Sequence, residues 1–280
     1  MRSSLARLCL VVVSLSTFAF SAVTWTTIDY PGALITQACG INSAGDIVGI
    51  FNAGQGVQSY LLSGGVFTTI QYTDANSTTF AYGINDAGDV VGTFVDPGGF
   101  RGGFLKQGST FTPINFPGSS STIAWGVNNS DEIVGDYVGA DALTHGFTWN
   151  AGTFITTDIT GAVLTSLKGI NNLGDIAGEF LLSNGSARGV VISNAQTHRF
   201  VAPGSTGNTL GWGINDSQQV VGWTDLPGKE VGFVLFNNNF TFISAPGRTI
   251  TQALGINKSG DVVGYYVGTD GVEHGFLRSR

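Results

Sequence analysis

Four side chains stand where chemistry is most accessible: Asp136, Glu179, Trp223 and Tyr265. Each follows the second glycine of a recurring phrase, at a place where two other copies carry Ile50 and Thr93. Carboxylates accept hydrogen bonds from hydroxyl groups and aromatic faces cover apolar ring surfaces. Two of each around one opening would therefore suit a sugar-like ligand. The same two acids, if held about 5 to 9.5 Å apart, could instead cleave a glycosidic bond as acid and base or as acid and nucleophile. One filter selects these residues: a side chain present in every copy serves the repeat, whereas a single site belongs where the copies differ.

The remaining candidates read as parts of the framework. Asp46, Asp89, Glu132, Asp175 and Asp261, with Gln219 in the remaining place, recur at one position of the phrase. Calcium needs six to eight oxygens within about 2.6 Å, and hairpin tips on separate repeats diverge into solvent, so no metal is expected there. Thr36, Thr79, Thr122, Thr165, Thr209 and Thr251 form a sixfold set expected near one mouth of a central channel, satisfying loop backbone groups. His145 and His274 occupy equivalent places in the third and sixth copies and His198 lies elsewhere, so they do not share a zinc. Glu230 after Gly228-Lys229 spoils a phosphate loop, and the serine of "GSARG" is misplaced for a nucleophile elbow. No catalytic residue, metal or cofactor is assigned. Cys39 is expected to be packed.

The elements that must position these residues follow from the phrase itself. "GINSAGDIVGIF" at Gly40 returns as "GINDAGDVVGTF", "GVNNSDEIVGDY", "GINNLGDIAGEF", "GINDSQQVVGWT" and "GINKSGDVVGYY", with the asparagines 43, 43, 43, 44 and 42 residues apart. A strict period of this length marks a repeat architecture. Each period holds four short β-type runs, for example "TFAYGIN", "DVVGTFV", "RGGFLK" and "STFTPINF", separated by turn residues. Within the phrase, Asn bonds its own backbone and a following Gly takes positive φ to close a hairpin. Asp131 and Gln218 replace that glycine in two copies, and Gln makes the fifth hairpin the loosest expected.

Four antiparallel strands repeated six times predict an all-β, six-bladed propeller. After Asn257 the chain supplies only three strands, while before Asn42 it carries the extra run "TWTTIDYPG". That N-terminal strand completes the last blade and closes the ring, removing exposed edges.

Composition agrees with this. The chain of 280 residues is 42% hydrophobic but only 11% charged and has 42 glycines, which favours turns over helices. Residues 1–21, with Arg2 and Arg7 ahead of an apolar stretch, read as a secretory signal peptide, leaving 22–280 as a single domain without a membrane span. Net charge is −7, more negative still without those arginines, and no basic cluster exists to bind nucleic acid.

The phrase, with His145-Gly146-Phe147 and His274-Gly275-Phe276, resembles the HAF family of bacterial extracellular repeat proteins over Trp25 to Arg280. The resemblance implies secretion from a bacterium and a repeat fold, and transfers no catalytic residues. The expected function is a secreted, monomeric, non-catalytic binding or scaffold module for a carbohydrate or cell-surface protein. Glycoside cleavage is the alternative.

Overall fold

The computed structural model describes residues 23–73 and 77–279; the expected signal peptide, 1–21, lies outside them. The described residues form an all-β, propeller-like fold without helices. Strands pair in runs of four. The first quartet joins β2 (Ile35–Ile41), β3 (Ile47–Asn52), β4 (Val57–Ser63) and β5 (Val66–Ile70). The second joins β6 (Thr78–Ile84), β7 (Val90–Val95), β8 (Arg101–Gln107) and β9 (Thr110–Ile114). The third joins β10 (Ser121–Val127), β11 (Ile133–Val138), β12 (Thr144–Asn150) and β13 (Thr153–Thr156). The fourth joins β14 (Leu164–Ile170), β15 (Ile176–Leu181), β16 (Ala187–Ser193) and β17 (Gln196–Phe200). The fifth joins β18 (Thr209–Ile214), β19 (Val220–Leu226), β20 (Lys229–Phe236) and β21 (Asn239–Ile243). In the sixth, β22 (Thr251–Ile256), β23 (Val262–Val267) and β24 (Glu273–Ser279) take their fourth strand from the other end of the chain, β1 (Thr24–Ile28).

By hydrogen bonding alone these strands make four sheets rather than six. Single parallel bridges, Arg101 to Ser121 and Thr144 to Leu164, fuse the second, third and fourth quartets into one twelve-stranded sheet. Each bridge joins only the first residue of an inner strand to the first residue of the preceding quartet's third strand.

The core lies between quartets. Val48 and Ile70 of the first pack with Ala81, Val90, Phe94 and Phe104 of the second. A fully buried aromatic on the third strand, Tyr60, Phe104, Phe147, Phe233 or Phe276, anchors five of the six layers. It lies over the second glycine of the phrase, where any side chain would collide with the neighbouring strand.

The phrase also ties the quartets to each other. Each phrase asparagine is buried, and its Oδ1 accepts the N–H groups that close its hairpin, as in Ala44 and Asp46 to Asn42. Its Nδ2 donates to the backbone carbonyl of the next phrase asparagine: Asn42 to Asn85, Asn85 to Asn128, Asn128 to Asn171, Asn171 to Asn215, Asn215 to Asn257. The relay returns to its first member, Asn257 to Asn42 at 3.3 Å. A second Nδ2 bond goes to the side chain four residues on, Asp46, Asp89, Glu132, Asp175, Gln219 or Asp261. That acidic set is thus a set of asparagine acceptors, which explains why Gln219 can stand in it, and Asp175 is buried rather than facing solvent.

The six threonines are buried and each hydroxyl accepts the N–H of a loop residue, for instance Tyr30 to Thr36 and Phe116 to Thr122, both at 3.0 Å. None of them lines either axial cavity, contrary to their expected place near a channel mouth. The fifth hairpin keeps the common pattern as well. Gln218 adopts φ 59°, as Asp131 does, and its amide reaches Asp175 at 2.9 Å, so the misfit residue is tethered.

Candidate functional site

The first strand of every quartet carries a β-bulge just before the phrase glycine, as at Ala38/Gly40 and Ala124/Gly126. A bulge leaves one residue unpaired and re-aims its side chain. The residues so released are Cys39, Tyr82, Trp125, Lys168, Trp212 and Leu254, and together they line one axial cavity. They are brought close because a Cβ on each phrase glycine would meet the carbonyl of the next quartet's bulge residue: 2.6 Å for Gly40 to Tyr82, 2.8 Å for Gly126 to Lys168, 3.0 Å for Gly255 to Cys39. Only glycine permits this approach. The opposite axial cavity is lined by the asparagine ring with Ser43, Asp86, Asp216 and Lys258.

Aromatic rings gather on one side of the bulge mouth. Tyr82 lies 4.2 Å from Trp125, and Trp125 meets Trp212 edge-on at 5.6 Å. Beneath them Lys168 is buried, its Nζ 3.5 Å from the centre of the Trp125 ring and 4.8 Å from that of Trp212. A desolvated ammonium over two indole faces is held by the negative side of each ring quadrupole. It is also paired with the two sequence-selected acids, Glu179 at 3.6 Å and Asp136 at 4.0 Å.

Those acids are brought together through the lysine and have duties of their own. Asp136 accepts the Trp125 Nε1–H at 2.6 Å and the Ser166 hydroxyl. Burial pushes the Glu179 carboxyl above the usual range, opposed by Lys168 and reinforced by Asp136. Neither acid lines an axial cavity. Trp223 and Tyr265 occupy the equivalent register positions on β19 and β23, outside the lysine cluster. The Trp223 Nε1–H is buried without an acceptor, and burial raises the Tyr265 phenol. Sequence reasoning thus found the supporting acids and missed Tyr82, Trp125, Lys168 and Trp212. The position before the first glycine does vary sharply among copies, the same signal that selected the others.

Each axial cavity holds about 70 Å³, room for a few waters and well short of the roughly 300 to 1,000 Å³ that buries a small ligand. A sugar would have to lie across the mouth. Elsewhere, Cys39 is buried and its thiol is pushed up to about 12 by desolvation, which leaves it unreactive. His145 pairs with Asp158 at 2.7 Å and Asp141 at 3.1 Å, while His274 repeats the arrangement with Asp29 and Asp270. Among the described residues no group of three or more histidine, cysteine or acidic side chains is arranged to hold a metal.

No family model and no curated protein matches the chain. Solved structures similar to it include a lectin, SapL1, in complex with α-methyl fucoside, with TM-score 0.59 and 10% identity over 89% of this chain and 94% of that one. A mutant of Aleuria aurantia lectin in complex with Fucα1-6GlcNAc aligns with TM-score 0.55 and 13% identity over 87% and 91%. A gluconolactonase from Xanthomonas campestris aligns with TM-score 0.51 and 10% identity over 88% of each chain. At such identities the likeness establishes the fold alone.

Proposed function

We propose that the chain is a secreted, closed six-bladed propeller of four-stranded blades that acts as a non-catalytic carbohydrate-binding module. Closure is supported by the asparagine relay that returns to Asn42 and by β1 completing the sixth quartet. The single observation that carries the function is the crescent Tyr82, Trp125 and Trp212, gathered at one mouth by bulges and stiffened from below by Lys168. The ring surfaces left uncovered by Lys168 and by the neighbouring rings are held in place and cost little entropy to present to a pyranose. Asp136 and Glu179 act as positioning residues for that mouth, and Trp223 and Tyr265, at the equivalent register positions of the fifth and sixth quartets, are the candidate ligand contacts outside it. Fucose-binding lectins among the similar folds favour the same class of ligand. Secretion and a bacterial extracellular setting rest on the leader sequence and the HAF-like repeat.

The test is a calorimetric titration of the folded chain with neutral and fucosylated oligosaccharides, repeated on Trp125→Ala and Trp212→Ala. Saturable binding weakened about tenfold or more in both variants supports the assignment; an absence of heat across the panel overturns it and moves the search to protein partners. Glycoside cleavage is favoured by one observation, the raised carboxyl of Glu179 beside Asp136, the pattern of an acid and its partner. Release of reducing sugar that disappears in Glu179→Gln would establish it. The engagement of both acids with Lys168 makes binding the better reading.

A further inference from the structure

A cavity of about 130 Å³ lies between the loop that follows β21 and the sixth quartet. Its walls include Trp25, Thr27, Ala245, Arg248, Tyr266 and Phe276, and it shares no residue with either axial cavity.

The other quartets show what the fold puts in this place. Ahead of each inner strand a loop residue donates its N–H to the repeated threonine: Tyr30, Tyr72, Phe116, Ile159, Ala202 and Ala245. Paired with those threonines across the sheet are Phe51, Phe94, Tyr137, Phe180, Thr224 and Tyr266. In the first three quartets the loop ring stacks flat on the strand ring, with centroids 3.6, 3.9 and 3.6 Å apart and planes within 8° of parallel. Ile159 packs with Phe180 in the fourth, and in the fifth both members are small. Only the sixth sets a large strand ring, Tyr266, against an alanine.

The third quartet serves as an internal control. Tyr137 stacks with His145 at 5.2 Å and its hydroxyl meets Thr156 at 2.8 Å; Tyr266 stacks with His274 at 5.4 Å and its hydroxyl meets Thr27 at 2.9 Å. Phe147 and Phe276 are both fully buried on the third strands. The differences are Ala245 for Phe116 and Trp25 for Phe154. The larger Trp25 indole leans on Phe276 at 4.9 Å, and the cavity remains beside it.

Arg248 gives the cavity a charge. It is half-buried, with its guanidinium carbon 5.6 Å from the centre of the Tyr266 ring. Among the described residues its side chain has no hydrogen-bond acceptor and no acid at ion-pair distance. Arg199, which stands 5.0 Å from Phe180 in the fourth quartet, is by contrast committed to the Thr160 carbonyl at 2.6 Å.

We infer that this slot binds a small aromatic carboxylate of the benzoate class, its ring flat on Tyr266 as Phe116 lies on Tyr137 and its carboxylate toward Arg248. The space is close to the roughly 150 Å³ that takes a benzene ring, which restricts the occupant to one ring. Offset stacking holds the ring, and charge-assisted hydrogen bonds from the guanidinium hold the acid. An uncharged sugar would leave Arg248 unanswered. The ligand class differs from that of the channel mouth, so the two assignments stand or fall separately.

The experiment titrates sodium benzoate into the folded chain and follows the indole N–H resonance of Trp25, assigned with Trp25→Phe, together with the ring protons of the ligand. A saturable shift of Trp25 and an upfield shift of the bound ligand protons are expected, both retained in Trp125→Ala. Ala245→Phe installs the third quartet's own ring and should abolish binding. The parent should prefer benzoate over benzyl alcohol at least tenfold, and Arg248→Gln should erase that preference. Because the Arg248 side chain makes no hydrogen bond within the described residues, that variant keeps the test decisive whatever Ala245→Phe does to stability. No saturable Trp25 shift with benzoate, an undiminished shift in a folded Ala245→Phe, or a preference for benzoate that survives Arg248→Gln would overturn the inference.

Discussion

Lys168 shows how a buried charge is kept in an otherwise lightly charged chain. Two indole faces and two carboxylates compensate it, so removing the lysine strands both acids in the interior. Breaking such a group from one side typically costs about 3–5 kcal/mol, and Lys168→Met should unfold correspondingly earlier in urea. Glu179, already raised by burial, goes higher still without the lysine. Its protonated form is the one the folded state prefers, so the variant should be less impaired at pH 5 than at pH 8. The paired histidines act in the same direction. Hydrogen bonding to Asp158 raises His145, with burial opposing; for His274 burial again opposes and Asp29 prevails. Carboxylates at both ring nitrogens require the doubly protonated imidazolium. This stabilisation is complete below the ordinary value of 6.5 and fades as pH rises through the raised one. The melting temperature should fall between pH 6 and pH 8, and fall less in a His145→Gln, His274→Gln double variant.

At the level of the strand and its turns, stability depends on groups that repeat in every copy. Thr122 accepts the Phe116 N–H in a buried setting. Thr122→Val preserves shape and abandons that donor, at an expected cost of about 1–3 kcal/mol in denaturant unfolding. Gly126 sits on the other side of the same economy of space: a methyl group there would press on the Lys168 carbonyl at 2.8 Å and the Gly169 Cα at 3.1 Å. Because the obstacle is backbone, Gly126→Ala should destabilise by more than about 2 kcal/mol and disturb the tryptophan fluorescence of the mouth. Gly45→Ala, at φ 85° in open space, tests conformation without crowding and should leave that fluorescence unchanged.

For the whole molecule, the pairing of the two chain ends matters most. Leu277 and Phe276 on β24 face Thr26 and Thr27 on β1, the register that covers the last strand. Deleting Thr24–Ile28 exposes the backbone edge of β24 and uncovers Phe276, otherwise fully buried beside Trp25. Such edges recruit other chains. The shortened chain should melt lower and sediment as concentration-dependent oligomers, whereas the parent should not.

Much of this framework was readable from the residues. The all-β character, four strands to a period and the supporting role of the threonines follow from local rules, because turn chemistry, alternation and side-chain capping act within a few residues. The role of the asparagine in its own hairpin is equally local. Its second role, donating to the next asparagine 42 to 44 residues on, appears only when the quartets converge. Selecting Asp136 and Glu179 as the period-breaking acids was possible from sequence, but their pairing depends on Lys168, which reaches them only after β14 lies against β11 and β15. Strict alternation assigns each side chain a face from its position, and a bulge inserts one residue that alternation does not count. Local turn chemistry and alternation are enough to set the repeating strands; only the bulges and the close approach at glycine, which exist once the quartets pack, bring Tyr82, Trp125, Lys168 and Trp212 to one mouth.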